Sequence, residues 1–103
     1  MLKFGKDNEV ITREKERVVL VGVRTGSEDM SYSMSELSGL AAAAGAEVIG
    51  EAVQNLDRIN TATFIGRGKV EEIREFCANS EADAVIFNDE LSGIQTRNLE
   101  REL

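Results

Sequence analysis

The chain has 103 residues and a formal net charge of −7, from 19 acidic and 12 basic side chains. This length provides for one hydrophobic core, so the chain is one domain or part of one. It contains no histidine and one cysteine, which excludes Ser-His-Asp and Cys-His catalysis, histidine-ligated metal sites, a structural zinc site and an internal disulfide. The acidic balance disfavours general nucleic-acid binding, so any RNA contact needs a local basic patch.

Three features bear on where the protein works. No apolar run approaches the about 20 residues of a membrane span, so we expect no transmembrane segment. The first ten residues lack the continuous apolar region of a secretory signal. The single cysteine, Cys77, points to a reducing compartment, most simply the cytoplasm.

The N-terminal part of the chain is predicted to contain an arm, a strand and a loop. Residues 1–16 are polar and of mixed charge, which predicts a flexible or loosely docked arm. The apolar run within Arg17–Val23 predicts a strand that is buried on both faces. Arg24–Ser33 is predicted to be a surface loop, and its Glu28 and Asp29 would repel phosphate.

The first helix is predicted over Met34–Ala44. Ser33 and Glu36 match a capping box at its start, and Gly45 matches the glycine that commonly follows a helix end. The apolar residues of this helix fall on one face at helical spacing: Met34, Leu37, Leu40, Ala41 and Ala44.

Strands and helices follow in the order strand, strand, helix, strand, helix. Their predicted ranges are Ala46–Gln54, Thr63–Ile65, Lys69–Asn79, Ala84–Phe87 and Leu91–Leu103. The buried face of the second helix is predicted to hold Val70, Ile73, Phe76 and Cys77. The last helix begins with a Ser92/Gln95 capping box, and its apolar positions are Leu91, Ile94, Leu99 and Leu103.

This order of elements predicts an α/β fold, with a parallel four-stranded sheet flanked by helices and joined by right-handed connections. The ordered domain is expected over residues 17–103. Because the chain stops within a helix that has no C-cap, we expect the domain to be incomplete there, with a final strand missing through truncation. The unpaired sheet edge would then favour self-association.

Gly66-Arg67-Gly68-Lys69 is the first candidate site. It lies between a predicted strand and a helix, where glycines, helical N–H groups and two cations together favour an anion. The alternative is a tight turn that carries two solvated cations. The motif is not a P-loop, because Val70 occupies the position of the hydroxyl that would contact magnesium.

The second candidate is Asn88-Asp89-Glu90-Leu91-Ser92 at the carboxyl end of the predicted fourth strand, an edge where parallel sheets bind ligands. Asp89 and Glu90 are weak candidates for a metal ion or a ribose. The favoured alternative is helix initiation, in which Asn88 or Ser92 caps the last helix and the two acidic residues stabilise the positive end of its dipole. Cys77 is interpreted as a small core residue, since the sequence offers no base to activate it.

Two segments, AGAEVIGEAVQNLDRINTATFIGRGKVEEI (Ala44–Ile73) and ADAVIFNDELSGIQTRNLEREL (Ala82–Leu103), carry a resemblance to a known family. They resemble the N-terminal domain of HflX, a family of ribosome-associated GTPases. The resemblance extends over about Arg17–Leu103, and the I-G-R-G-K and N-D-E-L-S-G-I-Q-T-R-N-L-E elements make it specific. One departure is Gly93, where the family commonly has proline.

The resemblance implies a function that the residues alone do not. HflX proteins are cytoplasmic, bind the large ribosomal subunit and split ribosomes, notably under stress. Their GTP and magnesium sites lie in a later GTPase domain, so this chain is expected to hold no cofactor and to hydrolyse no GTP alone. The family's N-terminal region has also been associated with adenine nucleotides.

The main hypothesis is therefore a ribosome-docking and regulatory domain that works with the GTPase domain of the same protein. Its expected contacts to RNA phosphate are Gly66, Arg67, Gly68 and Lys69, with Arg58 and Arg97 behind them. The alternative is a small α/β domain that binds or hydrolyses ATP, with Gly66–Lys69 on phosphate and Asp89 and Glu90 on a metal ion. A third hypothesis is a purely structural interaction domain.

Overall fold

The computed structural model describes residues 3–5, 15–26 and 31–103. They form an α/β fold with one sheet and helices on both of its faces. The strands are β1 Lys3–Gly5, β2 Glu16–Arg24, β3 Ala46–Asn55 and β4 Ala84–Phe87; the helices are α1 Ser31–Ala43, α2 Arg67–Ser80 and α3 Gly93–Glu102. In the described ranges, no helix is both long enough and apolar enough to span a bilayer.

The sheet has the strand order β1-β4-β2-β3, so that β1 and β3 form its edges. Strands β4, β2 and β3 are parallel, and β1 pairs antiparallel with β4. The predicted parallel sheet is therefore confirmed for three strands. The fourth strand is not the predicted one: it is Lys3–Gly5, which lies within the expected arm. Most of that arm, and Glu28 and Asp29 of the predicted loop, lie outside the described residues.

The strand predicted over Thr63–Ile65 is wrong. Phe64 has a φ of 67°, far from extended backbone, and this segment makes a single bridge, between Asn60 and Phe64. All three side chains are nonetheless buried. The apolar character of Thr63–Ile65 thus indicates burial in the core, and residues of a turn can be buried as well as residues of a strand.

Strand β2 is central and its apolar residues are buried on both faces, as predicted. Val18 and Leu20 pack towards α1, together with Met34 and Leu37. The other face of the sheet packs against α2 and α3 in a larger cluster, which includes Val19, Val21, Phe64, Ile65, Val70, Ile73, Phe87 and Leu99. Successive side chains of a strand point to opposite faces, and this alternation divides the core into two layers.

Helix α1 begins at Ser31, three residues before the predicted start, so Ser33 lies inside the helix and the expected Ser33/Glu36 cap is wrong. Gly45 follows the helix end with a φ of 88°, as expected, and its N–H donates to Ala42 O at 3.0 Å. Leu40 was predicted to be buried but is 54% exposed, because the row that meets the sheet is Met34, Leu37 and Ala41.

Phe76 and Ile94 are also more exposed than their helical spacing predicts. Phe76, 41% exposed, lies over Gly50 of β3: a Cβ added at Gly50 would lie 2.8 Å from its Cε2. Gly50 follows a bulge, since Val18 and Val19 of β2 pair with Val48 and Gly50. The ring therefore covers the strand at a position where only glycine leaves room for it.

Candidate anion-binding surface

The segment 56–66, here called the anchored loop, joins β3 to α2 at the carboxyl edge of the parallel strands. Its start is tied to β2, because Leu56 N donates to Arg24 O at 3.0 Å. Asn60 and Phe64 exchange two backbone hydrogen bonds, of 3.2 and 2.9 Å. The Oδ1 of Asn60 also accepts from Ala62 N at 2.8 Å and Thr63 N at 3.1 Å. These bonds close a compact turn over residues 60–64.

Phe64 holds this turn to the core. Its left-handed φ of 67° costs a non-glycine residue about 1–2 kcal/mol. The side chain is 2% exposed, and its ring meets Phe87 edge-on, with the ring centroids 5.6 Å apart. Burial of a phenylalanine contributes about 1.5–3 kcal/mol, and the aromatic pair adds to this. Packing therefore offsets the strain and stabilises the turn.

The predicted Gly66–Lys69 site lies where the anchored loop enters α2. Gly66 is the N-cap residue, and its N–H donates to Gln54 Oε1 at 2.8 Å, so this donor is already used. A Cβ added at Gly68 would meet no atom of the described residues within 4 Å, so the first helical turn is open. The first N–H groups of a helix have no partner within the helix, which makes this turn suitable for an anion.

The cations of this surface differ in how far they are neutralised. Lys69 Nζ lies 3.0 Å from Glu72 Oε2, and Arg74 Nη2 lies 3.4 Å from Glu71 Oε1. Arg58, Arg67 and Arg97, by contrast, form no ion pair among the residues that the structure describes. All three are exposed. The predicted anion-binding residues are therefore unequal, with three unpaired guanidinium groups and one lysine that is shared with Glu72.

Helix α3 connects Arg97 to the anchored loop. The predicted capping box is confirmed: Ser92 Oγ accepts from Gln95 N at 3.1 Å, and Gln95 Oε1 accepts from Ser92 N at 2.8 Å. Gln95 Nε2 also donates to Asn60 O at 2.8 Å, and Asn98 Nδ2 donates to Ala62 O at 3.0 Å. Sequence reasoning missed both of these bonds. Their only signal is the i, i+3 spacing of two amide side chains, which places them on one helix face.

Asp89 and Glu90 lie apart from a helix start. Helix α3 begins at Gly93, so both precede the N-cap Ser92 and are not in the first turn. Both are exposed, and Glu90 N donates to Asp89 Oδ1 at 2.8 Å. Among the described residues, no group of three or more His, Cys, Asp or Glu side chains could hold a metal ion. The two carboxylates thus join no larger set of ligands in that part of the chain.

Cys77 packs against the larger core cluster on α2. Burial raises the pKa of its thiol, because desolvation disfavours the thiolate. The thiol is accordingly protonated near neutral pH, which agrees with its interpretation as a packing residue.

Comparison with known proteins identifies the family. Residues 31–103 match the family described as GTP-binding GTPase N-terminal. The chain belongs to this family, as the N-terminal domain of an HflX-type GTPase. The match includes the whole of the anchored loop and α3.

Several proteins named GTPase HflX are similar to the chain. The protein from Caldanaerobacter subterraneus subsp. tengcongensis is 48% identical over 102 residues, which are 99% of this chain and 24% of the relative. That from Alkalihalophilus pseudofirmus is 40% identical over 96 residues, or 91% and 23% of the two chains. That from Escherichia coli is 34% identical over 86 residues, or 84% and 20%. The chain thus spans about a quarter of the length of the curated relatives it matches.

Proposed function

We propose that this domain docks an HflX-type GTP-binding protein onto RNA of the large ribosomal subunit, and that it regulates the GTPase domain of the same protein. One observation carries the proposal. Three exposed arginines lack ion pairs in the described part of the chain: Arg58 in the anchored loop, Arg67 at the start of α2, which follows that loop directly, and Arg97 in α3, which is hydrogen-bonded to the loop. In a chain of net charge −7, such a group is the local basic patch that RNA binding requires.

Arginine suits this task better than lysine does. Its planar guanidinium group can contact a phosphate through two parallel hydrogen bonds and needs no fixed base sequence. The open turn at Gly68 adds backbone N–H groups to the same end of the domain. Lys69 contributes less, since Glu72 shares its charge, and the Gly66 N–H is held by Gln54.

The parent protein supplies the remaining functions in this proposal. Ribosome splitting, notably under stress, takes place in the cytoplasm and depends on GTP and magnesium bound in another domain. This chain by itself hydrolyses no GTP, because Val70 stands where a P-loop carries its hydroxyl.

Single-charge variants of α2 provide a matched test. Arg67→Ala and Arg74→Ala remove the same charge from the same helix, but only Arg74 is paired with a carboxylate. We expect Arg67→Ala to weaken binding of the chain to large-subunit RNA about threefold or more, and to lower the salt slope by roughly 0.9. Arg74→Ala should change both by less. Fluorescence anisotropy over a series of salt concentrations measures affinity and slope together.

The triple variant Arg58→Ala, Arg67→Ala, Arg97→Ala gives the larger effect. If each arginine meets one phosphate, the slope falls by roughly three units, at about 0.9 per contact. An unchanged slope in the triple variant, with the chain still folded by circular dichroism, would reject the proposal.

A second candidate function, binding of an adenine nucleotide, is favoured by one observation at the same edge of the sheet. Asn88 follows β4, and its Oδ1 is buried without a hydrogen-bond partner in the described part of the structure. Its amide lies beside Gly22 of β2. Strands β2 and β4 lead to helices on opposite faces, and ligands bind at such a crossing point in α/β sheets.

Calorimetric titration with ATP, with and without magnesium, tests this second function. Binding that is lost in Asn88→Ala, while the arginine variants bind normally, would support it. Absence of heat and of a thermal shift at millimolar ATP would reject it.

A further inference from the structure

The amide side chains of Gln95 and Asn98 join α3 to the anchored loop, and the domain core does not need them for this purpose. Leu99 already fixes α3 in the core, with no exposed surface. Phe64 and Ile65 fix the loop in the same cluster. The two amides add specific contacts, both to backbone carbonyls of the turn, at 2.8 and 3.0 Å.

We propose that Gln95 and Asn98 are positioning residues, which set Arg97 of α3 at a fixed spacing from Arg58 in the anchored loop and from Arg67 at the start of α2. This inference rests on the RNA-docking function proposed above and deepens it. Arg97 stands between the two amides in sequence, while Arg58 and Arg67 flank the turn that the amides hold. The phosphates of a folded RNA lie at fixed distances from one another. If the distances between the arginines no longer match them, phosphate contacts are lost although the net charge of the chain is unchanged.

Gln95 is the better defined of the two residues. It is 8% exposed, and its carboxamide is used at both ends: Oε1 accepts from Ser92 N and Nε2 donates to Asn60 O. The cap therefore fixes the side-chain rotamer, and the fixed rotamer aims the N–H₂ group at the turn. The same Asn60 carbonyl also accepts from Phe64 N at 2.9 Å, inside the strained turn. A single carbonyl thus links the helix cap to the left-handed residue.

Asn98 gives the cleaner test, because its carboxamide makes a hydrogen bond to the turn, at Ala62 O, and no capping bond. Asn98→Ala leaves the net charge unchanged and introduces a better helix former, so α3 itself is not weakened. Asn79→Ala on α2 is the matched control: it makes the same substitution at an exposed helical position. Any difference between the two variants therefore reports the bond to Ala62.

We expect Asn98→Ala to weaken binding to large-subunit RNA about threefold or more and to lower the salt slope by roughly one unit, as for one lost phosphate contact. Asn79→Ala should change neither quantity. A merely structural role would lower the melting temperature and leave the salt slope of the folded chain unchanged, and that outcome would overturn the inference.

Gln95→Glu separates the hydrogen bond between Gln95 and Asn60 O from the capping bonds of the same side chain. Glutamate keeps the acceptor of the capping box and loses the N–H₂ donor to Asn60. Because the variant adds a negative charge, its effect is measured by amide hydrogen exchange and not by affinity for RNA. The amides of Thr63 and Phe64, which bond to Asn60, should exchange about fivefold to tenfold faster, while amides of α3 keep their protection. Unchanged exchange at Thr63 and Phe64 would show that the bond from Gln95 to Asn60 does not stabilise the turn.

The two proposals fail in different ways. If the triple arginine variant binds RNA normally, the docking function fails, whatever the amide variants do. If the triple variant loses binding while Asn98→Ala does not, docking stands and the positioning role is wrong.

Discussion

Arginine side chains have different roles at the two ends of the parallel strands. At the edge where the strands begin, Arg17 is fully engaged: Nε and Nη2 donate to Ser80 O at 3.3 and 3.1 Å, and Nη1 pairs with Glu47 at 3.3 Å. Its backbone N–H donates to Asp83 Oδ2 at 2.7 Å. At the carboxyl edge, Arg58, Arg67 and Arg97 form no such ion pairs among the described residues.

This difference separates a structural cation from a cation available to a ligand. Arg17 satisfies a carbonyl at the C-terminal end of α2, a position where backbone acceptors lack partners and the helix dipole favours positive charge. The arginines of the carboxyl edge satisfy nothing comparable in the described fold. None of the three forms an ion pair with a carboxylate of the described residues, so each guanidinium group is available to an anion.

The largest effect should come from the anchored loop, where packing and not charge provides the stability. Phe64→Ala is expected to lower the free energy of unfolding by about 3–5 kcal/mol, as for a fully buried phenylalanine. Phe76→Ala, at the half-exposed ring over Gly50, should lower it by about 1 kcal/mol. Urea denaturation measures both. Phe64→Gly should be less harmful than Phe64→Ala, because glycine tolerates the left-handed φ; the reverse order would show that the turn stores no strain.

The next effect should come from Arg17. Arg17→Ala removes two hydrogen bonds from a charged group to the Ser80 carbonyl and should lower the free energy of unfolding by about 2 kcal/mol. Arg67→Ala should change it by less than about 0.5 kcal/mol, as is usual for exposed positions. RNA affinity should show the opposite order, with only Arg67→Ala reducing it. Equal effects of the two variants on the free energy of unfolding, or on RNA affinity, would contradict the distinction between the two ends of the parallel strands.

The smallest effect tests whether an ion pair limits Lys69. Glu72→Gln releases Lys69, and Glu71→Gln makes the same charge change but releases Arg74. We expect Glu72→Gln to strengthen RNA binding about twofold to threefold, with a steeper salt slope, because Lys69 can then neutralise a phosphate. The change in stability should be only a few tenths of a kcal/mol, since exposed i, i+3 pairs contribute little. If Glu71→Gln gives the same gain, Lys69 has no particular part in the surface.

Much of the fold follows from local patterns. The run in β2 has no polar interruption between Val18 and Val21, which favours burial on both faces, and β2 is indeed central. Ser92 and Gln95 predict the start of α3, because a capping box is defined by only four consecutive residues. The predicted strand β4 has the observed bounds for a similar reason, since its four residues are all apolar and buried.

The errors occur where a local pattern has two physical solutions. Thr63–Ile65 is apolar enough for a strand, and its burial is real, but Phe64 reaches the core from a left-handed turn. Leu40 and Ile94 fit the apolar spacing of their helices and yet stay exposed, because spacing cannot say how wide a face the sheet will cover. The Lys3–Gly5 strand is short and polar at its start, so only its pairing with β4 defines it.

The sequence by itself determined the fold class, the position of β2, the cap of α3, the resemblance to the HflX family and the basic residues near α2. Those features depend on residues that are close together in the chain. The tertiary structure decided which cations are paired, how the anchored loop turns, and that α3 holds it through Gln95 and Asn98. These contacts join residues 35 and 36 positions apart. A hydrogen bond over such a separation leaves no periodic pattern in either segment, because it forms only after the core has brought loop and helix together.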